Sequence, residues 1–174
     1  RILPETAGGA DDFRLKYISA GVMTSPALAL EQAQKEAQQF AGILNRMHAD
    51  VDELLFDSKA SRSKLLKRIA AAEEATDQLE IEISDYLVRV SENTNLEHDL
   101  TERIRFLQTM INDMERIADI YFQISKLSER LHEARSHWPD DARADMVQMM
   151  EALRAAVENM QQSASMEPSK VSLE

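Results

Sequence analysis

The strongest constraint on the fold of this chain is an internal repeat of two long helical patterns. Placing the second pattern on the first at an offset of 42 residues superposes apolar positions and also charged ones. The matched pairs are Leu65/Leu107, Ile69/Ile111, Glu73/Glu115, Thr76/Ala118 and Asp77/Asp119. In both copies apolar residues recur every three or four positions, which is typical of an amphipathic helix. The sequence therefore predicts a hairpin of two helices, at residues 60–93 and 95–135.

Two further helices are predicted on either side of this hairpin. Ser25 followed by Pro26 favours a helix start, with serine as the N-cap and proline at the first helical position. Pro139 opens a last helix, whose predicted apolar seam is Met146, Met149, Leu153, Val157 and Met160. Only four glycines and four prolines interrupt the 174 residues. We therefore expect an all-α fold, an antiparallel four-helix bundle of long helices.

The two ends of the chain differ from this helical middle. Residues 1–24 contain early glycine and proline and a short alternating stretch, which predicts a linker or docking segment. Residues 25–162 form the predicted bundle, and residues 163–174 a frayed tail. Because the chain begins at Arg1 without Met or a secretory pattern, we expect a fragment cut from a longer protein.

Composition excludes several classes of function. The net charge is −11 and no basic block stands out, so neither nucleic acid nor a lipid surface is an expected partner. Cysteine is absent, which removes disulfides, thiolate metal sites and cysteine nucleophiles. No apolar run approaches the roughly 20 residues that cross a bilayer. Since no phosphate-binding glycine loop or nucleophile motif is found either, we expect a protein that is not an enzyme.

The repeated Glu-x-x-x-Asp pairs are the candidate site. If the chain turns at Thr94, Glu73 and Glu115 lie at equal distances from the turn and side by side in the hairpin. Asp77 and Asp119 then lie one helical turn to either side, since residues four apart share a face. Four carboxylates would edge one seam, where a cation relieves their repulsion. The contrasting interpretation is a solvated acidic face, because such pairs are common on helices.

Some other polar residues are predicted to support this site, and others are predicted to be unrelated to it. Glu80 and Asn112 lie on the same faces as the pairs and are the predicted supporting ligands. Glu129 and His132 have the Glu-x-x-His spacing of di-iron bundles, but in one copy only, which argues against an oxidase. The other three histidines, His48, His98 and His137, are predicted to be surface residues.

Two stretches resemble a known family. Residues 111–119, Ile-Asn-Asp-Met-Glu-Arg-Ile-Ala-Asp, resemble a signature of PhoU domains, and residues 73–77, Glu-Glu-Ala-Thr-Asp, look like its partner motif. Leu-Lys-Tyr-Ile at residues 15–18 and Thr-Ser-Pro-Ala-Leu-Ala-Leu-Glu-Gln-Ala at residues 24–33 are similar to the start of the cytoplasmic domain of NptA-type bacterial sodium/phosphate cotransporters. Residues 80–87 are similar to that subgroup as well.

The resemblance implies a regulatory domain on the cytoplasmic side of the membrane, attached to a phosphate transporter. It also implies a divalent or multinuclear metal, iron or zinc, held by Glu73, Asp77, Glu115 and Asp119. Ala118 stands where the family has glycine and adds a methyl group at a point of close approach. The chain carries one pair of motifs where full PhoU proteins carry two, so one cluster at most can form.

Two hypotheses follow from the sequence. In the first, the chain is a non-enzymatic regulatory domain that packs against the membrane part of the same protein and modulates phosphate transport. In the second, it is a purely structural coiled-coil module that forms a homodimer and binds no metal. Replacing the acidic pairs by amides separates the two, because only the first predicts a loss of bound metal.

Overall fold

The computed structural model describes residues 15–18, 25–57, 59–92, 97–136 and 139–165. These residues form four helices, and none of them forms a strand: α1 Pro26–Phe56, α2 Arg62–Ser91, α3 His98–Glu133 and α4 Asp140–Ser165. The predicted all-α bundle of four long helices is confirmed. None of these helices is apolar over a length that would span a membrane.

The first helix lies at the centre of the bundle. α1 packs against α2, α3 and α4, and α2 packs against α3 to close a three-helix core. α4 lies along α1 and only borders α3. Small side chains on α1 let the neighbouring helices approach closely, and four of them are fully buried: Ala29, Ala33, Ala37 and Ala41. Because three helices surround α1, its buried surface is wider than a single apolar stripe.

The predicted hairpin is formed by α2 and α3, with ends two or three residues inside the predicted ones. Thr76 and Ala118, a matched pair of the repeat, are both fully buried. The Thr76 hydroxyl donates to the Glu73 carbonyl oxygen at 2.8 Å, so its burial leaves no unpaired hydroxyl. The repeat in the sequence therefore corresponds to two helices that contribute equivalent faces to one core.

Helix ends follow the local sequence. Pro26 is the first residue of α1 after the N-cap Ser25, as predicted, although the serine side chain makes no capping hydrogen bond. At the end of α3, Arg135 has a positive φ of 50°. The N–H of Arg135 donates to the His132 carbonyl and that of Ser136 to the Leu131 carbonyl, at 3.0 and 2.9 Å. This is a Schellman motif, in which arginine occupies the position that usually carries glycine.

The inner face of α4 differs from the predicted seam at one position. Met149 is 40% exposed, and Met150 is buried in its place. Met150, Val157 and Ala164 follow one another at seven-residue steps on the buried face, and Met149 lies about 100° away from it. α4 also continues through Ser165, and the Ala164 carbonyl accepts a hydrogen bond from the Gln38 side-chain amide at 3.1 Å. The rest of the predicted tail lies outside the described residues.

The start of the described chain is held by a buried acid on α1. Glu36 is 1% exposed, and its Oε1 accepts backbone N–H groups of Lys16, Tyr17 and Ile18, two of them at 2.6 and 3.2 Å. Leu15 and Ile18 are partly buried against the core. Of the predicted docking segment, these four residues are the part that the structure describes, and they lie on the bundle.

The prediction that His48 is a surface residue is wrong. The side chain is 7% exposed, and its Nδ1 lies 3.0 Å from the Tyr121 hydroxyl. His48 is buried because α1 lies at the centre of the bundle. A neighbouring helix also covers the side of α1 next to its main apolar stripe, and His48 lies on that side. His98 is exposed, in agreement with the prediction, and His137 lies outside the described residues.

Candidate functional site

Three of the predicted carboxylates come together where α2 packs against α3. Glu73 and Asp77 of α2 and Asp119 of α3 each place one carboxylate oxygen within 4.8 Å of the other two. Glu73 and Asp119 are partly buried, and Asp77 is exposed. We call these three residues the acidic cluster. It is open to solvent on one side and backed by the core on the other.

The fourth predicted ligand, Glu115, stands beside the acidic cluster but outside this group of three. It is partly buried, and the charges that raise its pKa include Asp119 and Asp77. Glu80 is also partly buried, and its Oε1 accepts a hydrogen bond from Ser84 Oγ at 3.2 Å. Asn112 is exposed. Glu115 and Glu80 thus extend the negative surface from the cluster along the same seam.

The pairing across the seam is offset from the predicted one. Glu73 was expected beside Glu115, but its carboxylate instead lies within 4.8 Å of the Asp119 carboxylate. Asp119 lies one helical turn after Glu115 on α3. Cβ atoms lean toward the N-terminus of their helix, so α2 side chains lean away from the connection and α3 side chains toward it. The link from Ser91 to His98 is also longer than the predicted turn at Thr94. The lean of the side chains pairs a residue of α2 with one that lies further from the connection on α3.

The electrostatics of the site oppose full ionisation. Burial raises the pKa of Glu73, and the neighbouring Asp77 and Asp119 charges raise it further. The pKa of Asp77 is raised in the same way, by burial first and then by Asp119 and Glu74. Burial and the Asp119 charge likewise raise the pKa of Glu115. Repulsion of this kind is what a bound cation removes.

Two basic residues offset part of the negative charge of this site. Lys126 lowers the pKa of Glu73, and Arg116 lowers that of Glu115. Lys126 lies seven residues after Asp119, and its Nζ stands 4.8 Å from the centre of the Phe122 ring. None of the ion pairs found within the described ranges involves a residue of the acidic cluster. Sequence reasoning missed Lys126, although its seven-residue spacing from Asp119 was a usable signal.

The donor set determines which ligands the site can take. It offers carboxylate oxygens, which suit hard and borderline cations such as Mg²⁺, Ca²⁺, Mn²⁺ or iron. His132 and Glu129, the single Glu-x-x-His motif, are not part of the cluster. Inorganic phosphate is repelled by the same charges unless a cation lies between. The residues therefore fit a cation, while their chemistry does not select iron or zinc over other metals.

Comparison with known protein families shows which family the chain resembles. The sequence model of the PhoU domain matches residues 37–128, a little over half of the chain. The matched region includes most of α1 and α3 and all of α2, and with them the whole acidic cluster. Comparisons with curated proteins and with solved structures found no match. Proteins with this domain regulate phosphate transport and are not enzymes.

Proposed function

The chain belongs to the PhoU domain family, and from that premise we propose that it is the regulatory domain of a bacterial sodium/phosphate cotransporter of the NptA type. In this proposal it lies on the cytoplasmic side of the membrane and packs against the membrane part of the same protein. Support comes from the Leu-Lys-Tyr-Ile sequence at residues 15–18, similar to that subgroup, and from Glu36, which fixes this stretch to the bundle. A segment attached in this way would transmit conformational change between the bundle and the proposed membrane part.

The second part of the proposal is that the acidic cluster binds a divalent cation. The observation that carries it is the approach of Glu73, Asp77 and Asp119 within 4.8 Å on two different helices. A cation bridging α2 and α3 would stabilise their packing, because it binds only the folded hairpin. Metal occupancy would thereby set the rigidity of the domain.

Regulation is tested in the intact transporter. The cotransporter with and without this domain is expressed in a strain lacking other phosphate uptake, and sodium-driven uptake is followed at low and high phosphate. We expect deletion to change the dependence of the uptake rate on phosphate. Identical uptake curves would contradict the regulatory role.

Metal binding is tested with a matched pair of variants. Asp77→Asn with Asp119→Asn removes two carboxylates of the cluster. Asp85→Asn with Asp99→Asn removes two exposed ones elsewhere on α2 and α3. Protein without a polyhistidine tag is dialysed against Mn²⁺, Fe²⁺ or Zn²⁺, and bound metal is measured. Metal retained by the wild type and the control but lost from the cluster variant is the expected result; equal metal in all three contradicts the proposal.

A homodimer is the second candidate function, favoured by one observation on α3. Phe106, Ile120 and Leu127 are 37–45% exposed, and Ile120 and Leu127 are seven residues apart, a spacing typical of helix pairing. If this face forms a dimer, Ile120→Glu with Leu127→Glu will convert a dimer into a monomer in sedimentation velocity. A wild type that is monomeric at all concentrations excludes this candidate.

A further inference from the structure

A groove between α1 and α4 lies away from the acidic cluster. It encloses about 670 Å³, a volume in the range of binding pockets. Its α1 side is a single stripe that runs from Asn45 to Phe56, three helical turns and roughly 16 Å long. Arg154 and Glu158 of α4 form the opposite side. A groove of this length accommodates a stretch of polypeptide better than a single ion.

The charges of the groove are mainly negative. Four carboxylates line it, from Asp52, Glu53, Asp57 and Glu158, against one guanidinium, that of Arg154. The last turn of α1 contains no basic residue of its own to offset the negative end of the helix dipole.

Two arginines of neighbouring helices approach this end of α1 without filling the groove. Arg62 of α2 donates to the Leu54 carbonyl at 3.0 Å. Arg143 of α4 stacks over the Phe56 ring, with its guanidinium carbon 5.4 Å from the ring centre. The stacked pair shows that the aromatic end of the groove accepts a guanidinium. The carboxylates along the groove still outnumber the cations.

One histidine of the groove is held in place by a hydrogen bond to α3. His48 lines the groove and is more than nine-tenths buried, and its Nδ1 is paired with the Tyr121 hydroxyl. Its other ring nitrogen, Nε2, has no hydrogen-bond partner among the residues that the structure describes. Whether Nε2 donates or accepts depends on the ring tautomer. His48 therefore reports on contact at the floor of the groove, and the negative charge of the groove comes from its carboxylates.

We propose that the α1/α4 groove binds a Lys- and Arg-rich segment of a partner protein. Basic side chains of the segment would pair with Asp52 and Glu158 on opposite sides, and the segment would pass over the His48 ring. If the proposed function is correct, this segment is a cytoplasmic loop of the membrane part, because such loops carry an excess of lysine and arginine. The groove would then be the face of the bundle that meets the transporter.

Binding is measured with a fluorescent Lys/Arg-rich peptide and with the same peptide carrying glutamate at its basic positions. Asp52→Asn with Glu158→Gln is the groove variant. Asp85→Asn with Glu92→Gln is the control, with the same loss of charge at an exposed position of α2 and at its exposed C-cap. At physiological salt we expect the groove variant to bind at least about tenfold more weakly, and the control to change by less than about twofold. Equal weakening in both variants means non-specific attraction and overturns the proposal.

A second readout tests contact with the buried histidine. In protein labelled at histidine, the ring resonances of His48 should shift as the basic peptide is added, while those of the exposed His98 and His132 stay in place. An unmoved His48 signal at saturation overturns the proposed groove even if the peptide binds. Neither experiment depends on transport, so a failed transport test leaves the groove intact, and a failed peptide test leaves regulation intact.

Discussion

The ring of His48 in α1 and the hydroxyl of Tyr121 in α3 form a hydrogen bond of 3.0 Å inside the bundle. The two rings meet edge to face, with their centres 5.5 Å apart. Tyr121 is fully buried, and burial raises the pKa of its hydroxyl far above the usual value, so the group remains protonated. The pair joins the central helix to the helix that carries Asp119.

Acid should weaken this part of the core. Burial is the main cause that lowers the pKa of His48, below its ordinary value of about 6.5. The unfolded chain therefore binds more protons than the folded one, and this stability is lost as the pH falls from about 6.5 toward the lowered value. We expect the stability advantage of the wild type over His48→Gln to shrink between pH 7.5 and pH 5 in urea unfolding. A constant difference would contradict the shift.

The acidic cluster should have the opposite pH dependence. The pKa values of Glu73, Asp77 and Glu115 are raised in the folded protein, so it binds more protons than the unfolded chain below neutral pH. This contribution makes metal-free protein more stable as the pH falls from neutral toward the ordinary carboxyl values.

The double variant Asp77→Asn with Asp119→Asn should therefore stabilise metal-free protein at pH 7. We expect a gain of no more than about 1 kcal/mol, because these groups are partly or largely exposed and screened. Thermal unfolding in a chelator measures it, with Asp85→Asn and Asp99→Asn as control. With a saturating divalent cation the order should reverse, since only the wild type gains binding energy; a double variant that stays more stable with the cation argues against a metal site.

Arg135 should be improved by glycine. Its φ of 50° lies in the left-handed region, where a Cβ is unfavourable and glycine is not. We expect Arg135→Gly to raise the free energy of unfolding by about 0.5–1 kcal/mol, measured in urea. Arg130→Gly, at an exposed position inside α3, should lower it by about 1 kcal/mol. If both variants are less stable than the wild type, the interactions of the Arg135 side chain contribute more stability than its left-handed backbone conformation costs.

Removing the buried acid should release the start of the chain. The Glu36 carboxylate accepts three backbone N–H groups, from Lys16, Tyr17 and Ile18. In Glu36→Leu these donors have no acceptor, so hydrogen exchange at the three amides should accelerate by at least about tenfold, as expected for the loss of hydrogen bonds to a charged group. Glu31→Leu, at an exposed position of α1, is the control. Unchanged exchange in Glu36→Leu would show that packing of Leu15 and Ile18 alone holds the segment.

Much of the fold was readable from the sequence. Spacings of three and four residues predicted four helices, and Ser25-Pro26 predicted where the first begins. These features depend on residues a few positions apart, whose relation along a helix is fixed by its geometry. A spacing of seven on α1 also links Ala29, Glu36, Ile43 and Asp50, and this signal could have identified the two acids as buried.

What the sequence determined by itself is the helical character of the chain, the apolar face of most helices and the placing of each Glu-x-x-x-Asp pair on one helix face. Only the tertiary structure decided that Glu73 meets Asp119, that Met150 is buried instead of Met149 and that His48 is covered. The position and rotation of one helix against another arise from packing between residues distant in sequence, and from the lean of side chains toward each N-terminus. A periodic pattern in a single helix contains no information about either.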